Sequence, residues 1–191
     1  MTINKNDENS ISLTSDILKK GGIVILPTDT VYGFSGITGD FSTDNKIRAI
    51  KGRAENKPLI QLIANPEDIF KYTDDKIPEE LISKWPGSLS IIVHLKPELP
   101  EYKIQQTVAF RCPGDDWLRK IISECNKPIY STSVNRSGQP VLDEENSICS
   151  EFEKDCDLVV LDGDKKNACP STLVSIENGE IKILRQGSVK I

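Results

Sequence analysis

At 191 residues the chain is long enough to bury a hydrophobic core without metal or disulfide staples. Its formal charge of −5 argues against a protein that coats nucleic acid non-specifically, because such binding is dominated by phosphate neutralisation. The five cysteines (Cys112, Cys125, Cys149, Cys156, Cys169) are widely spaced and form no C-x-x-C pair, so reduced thiols with no disulfide partner are expected, not a disulfide framework or a zinc site.

Met1 to Asn9 is polar and has no apolar h-region, and no run approaches the ~18 apolar residues of a membrane span. A flexible polar N-terminus over residues 1–9 is therefore expected ahead of one domain over 10–191, in a cytoplasmic protein that does not meet a membrane. Residues 11–20 read as a helix stopped by Gly21-Gly22, and the apolar run 23–26 as a buried strand. Pro27-Thr28-Asp29-Thr30-Val31-Tyr32-Gly33 follows as a hydroxyl-rich turn. Pro27 stops the ladder for want of an N–H, and Gly33 permits a positive φ or a close backbone approach. In open α/β sheets ligands bind at such strand ends, although Asp and Thr also bond their own backbone in plain turns.

Ser42-Thr43 can cap a second helix that turns Ile47 and Ile50 inward and ends at Gly52. Leu59 to Ala64 is the next strand, and Asn65-Pro66 with Asp68 opens a further helix with capping-box spacing. Another helix starts at Pro78, and strands are expected at 89–95 and 107–112. A helix over 115–125 should bury Trp117, Leu118, Ile121 and Ile122, with a short strand at 129–131 after it. A helix near 146–154 precedes the strand 158–161. The end of the chain is a hairpin joining 172–176 to 181–184 through Asn178-Gly179. Early alternation of strands and helices with a late hairpin gives α/β, one domain, with a mixed parallel and antiparallel sheet.

Lys46, Arg48, Lys51, Arg53 and Lys57 form the one basic cluster. With Gly52 ending the helix, Lys51 and Arg53 can share one cavity, Lys as a point charge and Arg as a bidentate fork for a polyphosphate. The other reading is a solvated helix end whose cations offset the macrodipole. Ser133 and Asn135 repeat the i, i+2 geometry and can bond a ribose, a base edge or a phosphate, or simply cap a loop. Arg111 lies on a strand among Val108, Phe110 and Cys112 and needs an anion, either a structural carboxylate or a ligand's. Pro170-Ser171-Thr172 opens the last hairpin and Arg185-Gln186-Gly187 closes it. His94 is the only histidine and reads as a structural strand residue, which disfavours Ser/His/Asp and Cys/His nucleophile schemes. Neither a Walker loop nor a G-x-G-x-x-G fingerprint is present.

Taken in order, P-T-D-T-V-Y-G (27–33), K-x-R (51–53), W-P-G-x-L (85–89), V-A-x-R (108–111), S-x-N-x-S-G (133–138), P-S-T (170–172) and L-R-x-G (184–187) resemble the YrdC/Sua5/YciO family. The short single-domain YrdC type is the better match, because the chain stops soon after Gly187. The resemblance implies a twisted open sheet with helices packed around it and a deep, positively charged cavity. It also implies synthesis of L-threonylcarbamoyl-adenylate and pyrophosphate from L-threonine, bicarbonate (CO2) and ATP, with Mg2+ accompanying ATP. The product would serve t6A37 modification of ANN-decoding tRNAs, with transient contact to tRNA or the transferase complex. On the same resemblance Lys51 and Arg53 hold the phosphates with Ser133 and Asn135, and Arg185 and Ser90 assist with the nucleotide. Thr30, Tyr32, Arg111 and Ser171 form the threonine end, with Arg111 on the carboxylate.

The sequence departs from longer relatives at Leu62, where they carry a histidine near threonine, so Thr30, Tyr32 or an ordered water is expected to read the substrate hydroxyl. The alternatives are a YciO-like paralogue with different acyl-adenylate chemistry and a non-catalytic double-stranded RNA or tRNA-binding module. The net charge and the lack of aromatics among the basic residues weigh against the latter.

Overall fold

The computed structural model describes residues 1–39, 41–52, 58–177 and 179–191. Along the chain run β1 (Thr2–Asn4), α1 (Ser10–Lys19), β2 (Val24–Leu26), β3 (Gly33–Ser35), α2 (Phe41–Lys51) and β4 (Ile60–Leu62). They are followed by α3 (Glu79–Ile82), β5 (Leu89–His94), β6 (Thr107–Arg111), α4 (Asp116–Cys125) and β7 (Ile129–Ser133). The last elements are α5 (Glu145–Phe152), β8 (Leu158–Leu161), β9 (Thr172–Glu177) and β10 (Glu180–Arg185).

Strand alternation sets the layers. Val24, Leu26, Leu158 and Val160 pack with Leu18 of α1 and with Leu118, Ile121 and Ile122 of α4. The intervening Ile23, Ile25 and Val159 pack on the other side with Ile47 of α2 and Ile148 and Phe152 of α5. Both faces of the sheet are thus covered by helices, which is why these strands read as unbroken apolar runs. The strands form one open sheet in the order β1-β8-β2-β3-β7-β4-β6-β5-β9-β10. Its β1/β8, β8/β2, β4/β6 and β5/β9 pairs are parallel and the others antiparallel. The expected α/β architecture with a mixed sheet is therefore the one observed.

Local signals account for the helix ends. The Asp115 side chain accepts from the Trp117 and Leu118 amides at 3.0 and 3.4 Å, and α4 ends on Asn126 in the left-handed region. Asn65 and Asp68 form the expected capping box, but the turn they open, Pro66–Lys71, is a 3₁₀ helix. Gly52 ends α2 with φ +62°, as its position predicted.

Several expectations are corrected. Residues 1–9 are not a free tail: Thr2–Asn4 pair in parallel with 159–161 at the sheet edge, and the Lys5 ammonium bonds Asp115 and Asp162 at 2.7 and 3.3 Å. Backbone pairing to an open edge needs no apolar side chains, so composition carried no sign of it. The turn 27–33 is also shorter than expected, because Gly33 is already the first residue of β3, opposite Leu26 and Ser133. Its φ is not positive; a Cβ there would sit 2.9 Å from Ser131 Oγ, so close strand approach is what requires glycine. The helix after Pro78 is a single turn, and Trp117 is only half-buried, its indole N–H donating to Ser10 Oγ at 3.0 Å. The hairpin residue Asn178 lies outside the described residues.

Candidate active site

The β2–β3 loop, the chain entering β4, the last residues of β6, β7 and β10, and the turn before β9 enclose a cavity of about 240 Å³. Of the residues singled out by sequence, Thr30, Tyr32, Arg111, Ser133, Ser171 and Arg185 line it. Arg111, Ser133 and Arg185 each end their strand, where an open α/β sheet presents its ligand-binding side chains.

Arg111 is 3% exposed, so its charge must be met inside the protein. Its Nη1 donates to Asp29 Oδ1 and to Thr30 Oγ1, both at 3.0 Å. Its Nε is buried and has no acceptor among the described residues. Burial pulls the Arg111 guanidinium below its ordinary range; Asp29 opposes this and Arg185 adds to it. The sequence left open whether Arg111 met a structural or a ligand carboxylate. The structure supplies a structural one, Asp29, and still leaves a donor over.

The donor directions at Thr30 can be worked out from its neighbours. Thr28 Oγ1 donates to the Val31 carbonyl at 2.8 Å and accepts from the Thr30 amide at 3.0 Å. Its only hydrogen is then spent, so in the 2.8 Å contact between the two hydroxyls Thr30 is the donor. With one Thr30 lone pair already taken by Arg111, the hydroxyl has one acceptor position to offer a ligand and no donor.

At the outer wall Arg185 Nε donates to the Ser171 carbonyl at 3.0 Å and its Nη2 to Ser171 Oγ at 3.1 Å. Burial lowers the Arg185 pKa as well. Ser90 shares a hydroxyl contact of 2.8 Å with Ser171 but is fully buried behind it. It therefore supports the wall and is not one of the cavity's lining residues.

Lys51 and Asn135 stand beside the cavity, joined to it through Ser133. The Lys51 ammonium donates to the Ser133 carbonyl, to the Asn135 carbonyl at 3.1 Å and to Asn135 Oδ1 at 2.8 Å. Ser133 Oγ donates to the same Oδ1 at 2.8 Å, while Asn135 Nδ2 donates to the carbonyls of Arg136 and Gln139 at 3.0 and 2.7 Å. Lys51 and Asn135 are thus brought together, as the family resemblance implied. Arg53, the other cation of that motif, lies outside the described residues.

Tyr32 is brought to the cavity, but its hydroxyl is not. The hydroxyl accepts from the Asp162 amide and bonds the Gly163 carbonyl, both at 2.8 Å, with Glu145 at 3.3 Å. Burial raises its pKa well above the phenol range. The ring tethers the loop after β8 and does not offer its hydroxyl to a substrate. Leu62 is fully buried against α4 and does not line the cavity; β4 and its approach contribute Leu59 and Ile60 instead.

Two residues were missed by sequence. Ser131 lines the cavity two residues before Ser133, a spacing that puts both on one face of β7. Asp29 was visible only as part of the 27–33 turn. No local pattern says that a loop aspartate will meet a strand arginine 82 positions away.

The model of the Sua5/YciO/YrdC family, described as "Telomere recombination", matches residues 16–187. A Methanocaldococcus jannaschii protein named "Putative threonylcarbamoyl-AMP synthase" is 33% identical over 94% of this chain and 86% of its own length. The Pseudoalteromonas translucida threonylcarbamoyl-AMP synthase is 28% identical over 92% of this chain and 98% of its own. Among solved structures, P. abyssi Sua5 complexed with L-threonine superposes with a TM-score of 0.87 at 28% identity. The match covers 98% of this chain but 57% of Sua5, so the chain spans little more than half of that protein. E. coli YciO superposes with a TM-score of 0.85 over 100% of this chain at 19% identity, a likeness of fold.

Proposed function

The chain belongs to the Sua5/YciO/YrdC family, and from that premise we propose that it is a threonylcarbamoyl-AMP synthase. It takes L-threonine, bicarbonate or CO2 and ATP, and releases pyrophosphate. One observation carries the reading: a single cavity holds a buried arginine with a donor to spare, hydroxyl residues from two loops and one strand (Thr30, Ser131, Ser133 and Ser171), and the rim to which Lys51 and Asn135 are joined. The synthase names of the two relatives and the threonine complex of Sua5 support it.

In this reading Arg111 takes the α-carboxylate of threonine, leaving the neutral amine to add to CO2 and pass one N–H proton to solvent as the carbamate forms. An oxygen of that carbamate attacks the α-phosphorus of ATP, the bond to the pyrophosphate oxygen breaks, and the electron pair leaves with pyrophosphate. The protein has little proton transfer to manage; it must hold two anions in line and stabilise the charge moving to the leaving group. Lys51 with Ser133 and Asn135, Arg185 at the far wall and Arg53 from the adjoining motif do this. ATP arrives as its Mg2+ complex, and we write that cation as part of the substrate. Among the described residues no group of three His, Cys, Asp or Glu side chains is placed to hold an ion. The product would feed t6A37 formation in ANN-decoding tRNAs.

Pyrophosphate release should require both L-threonine and bicarbonate and should match threonylcarbamoyl-AMP formed by mass spectrometry. Turnover indifferent to threonine would overturn the reading and point to the different acyl-adenylate chemistry of a paralogue.

A further inference from the structure

Asp29 holds the amino-acid end together from outside the cavity. Its Oδ1 meets Arg111 Nη1 at 3.0 Å, and its Oδ2 accepts from the Gly114 amide at 2.9 Å and from Ser88 Oγ at 3.3 Å. One carboxylate thus joins the β2–β3 loop to the loops after β6 and before β5. The fit is close: a Cβ on Gly114 would stand 3.3 Å from Asp29 Oδ2.

The arithmetic of Arg111's donors gives this contact a consequence. A guanidinium carries five N–H groups in one plane, two on each Nη and one on Nε. The pair on Nη1 is committed to Asp29 and Thr30. The end-on fork, which uses one N–H from each Nη, is therefore unavailable. What remains is the side edge, the Nε–H with its parallel neighbour on Nη2, and that Nε is buried with no acceptor. A carboxylate docked on this edge supplies the missing acceptor with two parallel bonds.

Building on the synthase reading, we infer that Asp29 is a positioning residue that fixes Arg111 through Nη1 and reserves its Nε–Nη2 edge for the carboxylate of the amino-acid substrate. Asp29 touches no substrate itself; it selects which edge of the arginine the substrate meets. Its negative charge, 15% exposed on the side chain, also pairs the buried charge of Arg111 in the interval before a second anion arrives.

The test is calorimetric binding of L-threonine and of ATP to the whole chain and to Asp29→Asn, which keeps the size and loses the charge. Threonine affinity should fall about tenfold or more while ATP affinity stays within about twofold. Equal losses for both ligands, or none, would overturn the proposal by making Asp29 a general loop brace. The same measurement in an Arg111→Lys background should show the Asp29 effect shrink to about twofold or less, because lysine has no edge to select. Full additivity would overturn it. Nitrogen-15 NMR of the Arg111 Nε–H gives a readout that needs no ligand. The wild type should show a dispersed, slowly exchanging resonance that Asp29→Asn and Asp29→Ala lose; a resonance unchanged in both overturns the positioning role. If the wild type binds ATP but no threonine, the synthase reading fails and this inference falls with it. If the wild type binds threonine and the variants bind it equally well, only the inference fails.

Discussion

The two ends of the cavity satisfy their cations in opposite ways. Lys51 has three N–H groups and three protein acceptors, the carbonyls of Ser133 and Asn135 and the Asn135 side-chain oxygen. A phosphate arriving there must replace protein contacts already made, so this end pays for binding by rearranging the 133–135 loop. Arg111 is instead held through one nitrogen and keeps a buried N–H without an acceptor among the described residues, at a cost on the order of 1–3 kcal/mol that a ligand acceptor would remove. On the proposed function, the Arg111 end is therefore preorganised and under-satisfied, and the Lys51 end is satisfied and has to exchange partners. Electrostatics sharpens the contrast, since burial lowers the pKa of both Arg111 and Arg185.

The hardest test of the contrast is at Lys51. Lys51→Ala removes the ammonium together with its bonds to Ser133 and Asn135, so kcat/KM for pyrophosphate release should fall by about 10²–10³-fold, roughly 3–4 kcal/mol. A loss confined to the threonine KM would mean that Lys51 belongs to the amino-acid end. Next comes Arg111→Lys, which keeps the charge but gives up both the Nη1 anchors and the side edge. The threonine KM should rise about thirtyfold, roughly 2 kcal/mol, and the ATP KM by no more than about threefold. Equal shifts would reduce Arg111 to a brace for the sheet edge.

Smaller effects separate hydroxyl reading from framework. Thr30→Val removes the remaining acceptor position together with a hydrogen bond to Arg111. Preference for threonine over 2-aminobutyrate should fall by about 1–2 kcal/mol, read as the ratio of their kcat/KM values. An unchanged ratio takes Thr30 out of hydroxyl recognition and leaves Ser131 as the nearest hydroxyl on that wall. Tyr32→Phe should do least to catalysis. It leaves the Asp162 amide and Gly163 carbonyl without a partner, so urea denaturation should show about 1–2 kcal/mol lost. Both KM values should stay near wild type, and a selective rise for threonine would return Tyr32 to the substrate side.

Each half of the Lys51–Asn135 contact was legible as a local motif, since Gly52 ends α2 just after Lys51 and β7 ends at Ser133. Their meeting across 84 positions came from the family resemblance and not from any local pattern. The direction of the Tyr32 hydroxyl was not legible at all. A tyrosine in a ligand-facing turn has a long side chain, and its hydroxyl ended about one ring length away on the loop after β8, against Asp162 and Gly163. Ser90 lies on β5, behind Ser171 and away from the residues that line the cavity.

By itself the sequence determined the layering, since short unbroken apolar runs between helices with local caps point to strands buried between two helical layers in a mixed sheet. It pointed also to several of the short motifs whose residues line the cavity. Only the tertiary structure decided that Thr2–Asn4 would complete the sheet edge, because backbone pairing leaves no mark on side-chain composition. Only the tertiary structure gave Arg111 its counter-ion. Asp29 and Arg111 are brought together by the order β2-β3-β7-β4-β6, a consequence of how the strands cross and not of any spacing along the chain. Which donors stay free for a ligand follows from that meeting, since a guanidinium's vacant edge exists only once its other nitrogens have been filled.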